Sequence, residues 1–202
     1  GDSPLNNLHL PEAWLDTMSR VRTVAPSAYL AGGALRDLDN NRPVKDLDVF
    51  FTEDMDSARF DAALAGVYVY KKWCPGDYID AAKEVQTTYT FASLTGQPDL
   101  NFVQLDRGFN TAAIIERMDF GLCQIGFDPL GVTKTADYDF DKRNEVFTLT
   151  RAETVEAVMR SLKRYQRLKA KYIGWALGWN AEDDAMVNIA LDRLEAEGVF
   201  VL

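Results

Sequence analysis

The chain has 202 residues, 47% of them hydrophobic and 26% charged, with 31 acidic side chains against 22 basic ones and a formal net charge of −9. That balance excludes an intrinsically disordered chain and argues against a protein that grips long stretches of nucleic acid, which normally carries a basic excess. One histidine, His9, and two cysteines, Cys74 and Cys123, exclude a zinc centre or a histidine-based triad and leave carboxylates with an oxygen-liking metal as the available chemistry.

No apolar run approaches the roughly 20 residues of a membrane span, and no secretory segment stands near the start. Reduced thiols in a cytoplasm are the expectation, with a Cys74–Cys123 disulfide left open.

In chain order, residues 11–23 predict a packing helix, with Trp14, Leu15, Met18 and Val21 at helical spacing. Residues 28–31 predict a strand, 33–38 a short helix and, after a turn-rich stretch at 39–43, residues 46–51 a second strand. A helix over 55–65 and a strand over 67–71 follow. A loop over 72–83 holds Trp73, Cys74, Pro75, Gly76 and Asp77, a kind of segment that often carries specificity. Strands over 85–94 and 100–105, joined by a turn at 96–99, predict a β-hairpin. Residues 111–117 predict a helix capped by Asn110, then a strand over 123–127, a turn over 128–131, a polar loop over 137–144 and a short strand over 145–149.

From Arg151 onward the pattern is helical. Over 153–173, Val155, Val158, Leu162, Tyr165, Leu168 and Tyr172 line one side, while Arg160, Lys163, Arg164, Arg167 and Lys171 share the other. Most such stripes are solvated faces. Five like charges in an acidic chain repel one another, however, and a nearby anion relieves them. Residues 182–197 close the chain as a second amphipathic helix with Met186, Ile189, Ala190 and Leu194 inward. Trp175 and Trp179 connect the two helices, with core the more ordinary role for such rings.

The chemistry concentrates between residues 28 and 51. Gly32 and Gly33 lack Cβ atoms and let the chain turn sharply beneath a ligand. A helix starting after them points free N–H groups at the turn. Asp46 and Asp48 stand at i and i+2, which on a strand puts both carboxylates on one face and sends Leu47, Val49 and Phe51 to the other. Carboxylates so placed repel unless a cation lies between them, and Mg²⁺ held by one or two carboxylates and by phosphate oxygens is the usual solution. A surface strand with solvated aspartates is the plainer reading of Asp-x-Asp alone. The double glycine ahead of it shifts the balance toward phosphate chemistry.

The run GGALRD at 32–37 followed by DLDVFF at 46–51 resembles the head domain of the DNA polymerase β-like nucleotidyltransferases, in the branch of bacterial poly(A) polymerases and CCA-adding enzymes. That branch reads GG-x-x-R-D, a short gap, then D-x-D in a strand. Residues 117–128 are similar to the family's R-R-D-F-T-x-N-A-x-A-Y at Asp119 and Phe120, with Met118 replacing the second arginine, Gly121 the threonine and Cys123 the asparagine. The phrase also resembles small phage-encoded nucleotidyltransferase-like proteins, which pair such a head with a short helical tail. The likeness covers about residues 26–130 and more loosely 150–175.

The resemblance implies an α+β fold: a small mixed sheet flanked by helices, with a head over 1–150 and a helical C-terminal segment over 151–202. It implies transfer of a nucleoside monophosphate from a nucleoside triphosphate, ATP being the expected one, to a hydroxyl, with release of pyrophosphate. Asp46 and Asp48 would hold Mg²⁺ or Mn²⁺. Gly32 and Gly33 would approach the phosphates, Arg36 and Lys45 would neutralise charge there, and Asp37 would brace the turn or the sugar. Asp119 belongs to the block that helps hold the nucleotide sugar, and Arg160, Lys163 or Arg164 would reach the triphosphate or the acceptor. The superfamily often adds a third acidic residue on a neighbouring strand. Here the inward position is Asn101, an amide able to coordinate through its oxygen but not to act as a base. Either Asp106 takes that place, or two carboxylates suffice, or activity is lost and the chain is a nucleotide–Mg²⁺ sensor. The acceptor stays open among a small molecule, an RNA end and a protein side chain.

Overall fold

Polar and apolar residues alternate along the strand at 46–51, and everything around it follows from burying the apolar half. The computed structural model describes residues 8–74 and 85–202. They divide into two compact units, one formed by the chain up to 116 together with 125–134, the other by 117–124 and 135–202.

The first unit contains α1 (Glu12–Val24), β1 (Tyr29–Ala31), α2 (Gly33–Asp39), β2 (Asp46–Phe51), α3 (Ser57–Ala63), β3 (Tyr68–Cys74), β4 (Val85–Ser93), β5 (Asp99–Leu105), β6 (Ile125–Asp128) and β7 (Gly131–Lys134). Its strands form one seven-stranded sheet in the order β3-β4-β5-β2-β1-β6-β7. Every pairing is antiparallel except β2 with β5, which run parallel. One face of β2 carries Leu47, Val49 and Phe51, all fully buried. With Phe60 of α3, Phe91 of β4 and Phe102 of β5, Phe51 makes an aromatic cluster whose ring centroids lie 4.7 to 6.3 Å apart. These separations are the tilted and edge-on contacts that aromatic rings prefer. Helix α1 buries Trp14, Met18 and Val21 one turn apart and packs against α3.

The second unit holds a 3₁₀ turn at Gly121–Cys123, α4 (Ala136–Asn144), β8 (Val146–Leu149), α5 (Val155–Leu168), β9 (Ala176–Trp179) and α6 (Asp184–Ala196). Strands β8 and β9 pair in parallel, so residues on both sides of position 150 belong to this unit. Phe147, Tyr165, Tyr172 and Trp175 pack as its aromatic core.

The α+β class, the 85–105 hairpin and the helical C-terminal segment agree with expectation. Several elements differ. The stretch 111–117 is 3₁₀ rather than α-helical. Residues 72–74, expected in a loop, continue β3; the rest of that loop, 75–83, and the Cys74 side chain lie outside the described residues. The polar loop expected over 137–144 is α4. Thr135 caps it by accepting the Tyr138 N–H at 3.1 Å, Asp137 and Asp139 sit in its first turn and Lys142 and Arg143 in its last, an order that complements the helix dipole. Its buried face is only Tyr138 and Asp141, too little for an apolar period to be visible. Helix α5 ends at Leu168 instead of running to 173. The connecting tryptophans flank or belong to β9, a strand whose partner is distant in sequence. In α6 the inward residues are Val187, Ala190 and Leu194, while Ile189 is 46% exposed.

Truncating Phe102→Ala removes the ring that meets three others in the first unit. The expected loss is about 3–5 kcal/mol of unfolding free energy, read from urea denaturation.

Candidate functional site

The second face of β2 carries Asp46, Asp48 and Phe50. The aspartates are half-buried at the start of the strand and Phe50 is fully buried beyond them. Parallel pairing with β5 sets Asp46 opposite Asp99 and Asp48 opposite Asn101, and residues paired in this way share a face. Further along, the same face of β5 presents Val103 and Leu105, both buried. One sheet face is therefore polar at the end where β2 and β5 begin and apolar at the other.

Asn101 Nδ2 donates to Asp48 Oδ1 at 3.1 Å, and Asn101 Oδ1 accepts from Thr90 Oγ1 at 3.3 Å, Thr90 being its neighbour on β4. Ser93 N–H donates to Asp99 Oδ1 at 2.8 Å. Burial pushes the Asp46 carboxyl above the ordinary carboxylate range. The Lys45 charge opposes that, the Asp99 charge adds to it, and a hydrogen bond from Asn101 opposes it again. Two hard carboxylates on one half-buried strand face suit Mg²⁺ or Mn²⁺ by donor chemistry. Among the described residues no group of three His, Cys, Asp or Glu side chains is arranged to hold a metal ion, so phosphate and water oxygens would complete the coordination.

Gly32 turns the chain from β1 into α2 at φ 85° and ψ −133°, a conformation open essentially to glycine. Its N–H is taken up by the Ile125 carbonyl at 3.0 Å, so it contributes shape rather than a donor. At Gly33 a Cβ would lie 3.3 Å from Arg36 Nη2, which places the Arg36 guanidinium against the turn. Arg36 Nε also pairs with Asp37 at 3.0 Å, both side chains nearly buried. Asp37 is thus held by Arg36 beside the turn, and Lys45 is exposed immediately before β2.

Asp106 is not brought to this cluster. It is exposed past the end of β5, about 16 Å along the strand from Asn101 at the usual rise per residue. The acidic neighbour that sequence reasoning missed is Asp99, which the sequence pattern assigns to the turn at 96–99 and the structure places opposite Asp46. The signal was the Asp99-x-Asn101 spacing, the same i, i+2 step that singled out Asp46 and Asp48.

The second unit gathers another set. Asp119 Oδ2 accepts from Ser161 Oγ at 2.8 Å and from Arg164 Nη1 at 2.7 Å, with Asp119 13% and Arg164 43% exposed. Lys163 lies 3.7 Å from Glu197, and Arg160 is exposed. Of the three expected α5 cations, Arg164 is tied to the Asp119 carboxylate. Met118 is buried, and its carbonyl accepts from Thr150 Oγ1 at 2.7 Å.

Position 121 has a steric explanation. A Cβ on Gly121 would lie 2.7 Å from Asp141 Oδ2 and 2.8 Å from the Asp137 carbonyl. The fully buried Asp141 carboxylate fills that space, accepting N–H bonds from Leu122 and Thr148, each at 2.9 Å. Its desolvation outweighs those bonds and lifts its pKa to about 6.

No protein-family profile matches the chain, and no curated protein sequence is similar to it. Solved structures are similar in fold. A CCA-adding enzyme in an apo form superposes with a TM-score of 0.64 at 14% identity, over 98% of this chain and 47% of its own. A CCA-adding enzyme in complex with ATP gives 0.61 at 14% identity, over 96% and 45%. A tRNA nucleotidyltransferase complexed with a primer tRNA and an incoming ATP analogue gives 0.52 at 17% identity, over 85% and 48%. The chain shares its fold with part of these structures and spans about half of their length.

Gly121→Ala should destabilise the protein by about 1–3 kcal/mol through overpacking, seen as a lower midpoint in urea. Asp141→Asn tests the buried charge. The folded-state pKa lies above the ordinary 3.8, so between about pH 4 and 6 the native state holds the extra proton, and stability falls as pH rises through that window. The stability difference, variant minus parent, should grow from pH 4 to 7 and then level off. About two pH units of offset at 1.36 kcal/mol each bound the change near 3 kcal/mol.

Proposed function

We propose that this protein is a metal-dependent nucleotidyltransferase. It binds a nucleoside triphosphate, ATP first among them, with Mg²⁺ or Mn²⁺, and transfers the nucleoside monophosphate to a hydroxyl. The observation that carries this reading is the Asp46–Asp48 pair on one half-buried strand face, next to the Gly32–Gly33 turn, in a fold shared with CCA-adding enzymes.

Asp46 and Asp48 would hold the cation through carboxylate oxygens. When bound, the cation supplies positive charge to phosphate oxygens and organises the triphosphate. Gly33 and the Arg36 guanidinium beside it lie at the turn where phosphate would approach, and Lys45 adds a positive charge before β2. In the reaction the acceptor oxygen bonds to the α-phosphorus and the bond to the oxygen bridging to the β-phosphate breaks. Pyrophosphate leaves with that electron pair, and the hydroxyl proton passes to water. Asp119 would serve by holding Arg164 and Ser161, and Arg160 and Lys163 remain candidates for contact with triphosphate or acceptor.

The acceptor is open among a small molecule, an RNA end and a protein side chain; the matched structures include one holding a primer tRNA. The net charge of −9 disfavours a long RNA footprint. No described helix is long and apolar enough to cross a membrane; a cytoplasmic location is part of the proposal.

A second reading, nucleotide binding without transfer, is favoured by Met118. It buries an apolar side chain where the resembling block carries an arginine. Calorimetry with ATP and Mg²⁺ measures binding under either reading, and label transfer separates them.

The protein is incubated with each labelled nucleoside triphosphate, Mg²⁺ or Mn²⁺ and cell extract, and labelled products are identified. Asp46→Ala combined with Asp48→Ala should cut transfer at least about 100-fold, the scale of losing transition-state charge stabilisation, while circular dichroism shows an intact fold. Normal turnover in the double variant rejects the mechanism.

A further inference from the structure

Resting on that reading, we propose that Asn101 limits the site to one divalent cation. It holds the nucleotide on Asp46 and Asp48 and keeps transfer to the hydroxyl slow. A carboxylate oxygen only accepts hydrogen bonds, so the group Asn101 turns toward Asp48 Oδ1 at 3.1 Å is its N–H₂. The amide oxygen faces away, toward Thr90 Oγ1 at 3.3 Å. Asn101 therefore presents protons, not lone pairs, to the Asp48 carboxylate.

Two-cation phosphoryl-transfer sites need oxygen ligands on both sides of the ions to bring them within about 4 Å of each other. At the position beside Asp48 that would supply such an oxygen, this chain supplies an N–H. The Asp48 carboxylate holds the amide in that orientation, because turning it over would set two acceptor oxygens against each other, and the Thr90 hydroxyl completes it by donating to the amide oxygen. Asp99 does not substitute for it. Asp99 stands opposite Asp46, one pair further back, with Oδ1 bonded to the Ser93 N–H. Asp46 and Asp48 still present oxygens for one ion with the triphosphate, which is enough to bind a nucleotide. Among the described residues, nothing in the cluster then holds a second ion against the acceptor hydroxyl.

The test counts Mn²⁺ by electron paramagnetic resonance in the full chain, with an ATP analogue whose α- and β-phosphorus atoms are joined by methylene, and measures label transfer from ATP in parallel. Wild type should bind one Mn²⁺ per chain. Asn101→Asp should bind two and transfer at least about tenfold faster, in keeping with the 10- to 100-fold effects of groups that support metal ligands. Asn101→Ala, with neither donor nor carboxylate, should stay at one. Two ions in wild type or in Asn101→Ala, or one in Asn101→Asp, overturns this proposal while leaving the nucleotide reading intact. No nucleotide-dependent Mn²⁺ binding by wild type overturns that reading and this proposal with it. Should Asn101→Asp fail to fold, the wild-type count decides alone: one supports the limit and two removes it.

Discussion

The parallel pairing of β2 with β5 is the constraint from which the candidate site follows. Side chains of paired parallel residues lie abreast on one face, so one register decides that Asp46 meets Asp99 and Asp48 meets Asn101. A slip of one residue would turn the aspartates into the phenylalanine cluster and expose Phe51. The cost of burying two carboxylates among aromatic rings holds the register as firmly as the apolar contacts do. The core and the candidate chemistry are thus two consequences of the same alternation.

That arrangement places like charges together, and the structure shows how the strain is managed. The raised pKa of Asp46 reflects burial and the Asp99 charge, set against Lys45 and a hydrogen bond from Asn101. The Thr90–Asn101–Asp48 chain crosses three adjacent strands, which makes the amide part of the sheet's packing as well as a neighbour of the carboxylates. The turn at Gly32 is secured from the other side. Its N–H joins the sheet through Ile125, while the nearly buried Arg36–Asp37 pair stiffens the start of α2.

The second unit is organised by two acids with different settings. Asp119 accepts from Ser161 and Arg164 and so fastens the segment around 119 to α5. Asp141 is fully buried and ties the Gly121–Cys123 turn to β8 through two backbone N–H groups. Its carboxylate occupies the space in which a larger residue at 121 would stand. Gly121 and Asp141 are therefore best understood as one packing decision. Like the Asp48–Asn101 contact, it joins residues that no short motif connects.

Local pattern alone was enough for the strand and turn signals from 28 to 51, the hairpin at 85–105, the amphipathic α5 and the α+β class. Hydrophobic period and glycine conformation are properties of neighbouring residues. Elements whose stability comes from distant partners were not readable in that way. Helix α4 shows only one deeply buried ring, β7 is polar, and β9 exists because β8 lies alongside it. The pairing of the aspartates was visible as a spacing of two. The identity of their neighbours was not, because the offset between β2 and β5 is set by which register buries Leu47, Val49, Leu100 and Phe102 together. The amino-acid order by itself determined that two carboxylates share a strand face behind a glycine turn. Only the tertiary structure decided that an amide N–H stands beside Asp48 and that Asp106 lies elsewhere, since cross-strand contact depends on long-range packing rather than on local sequence.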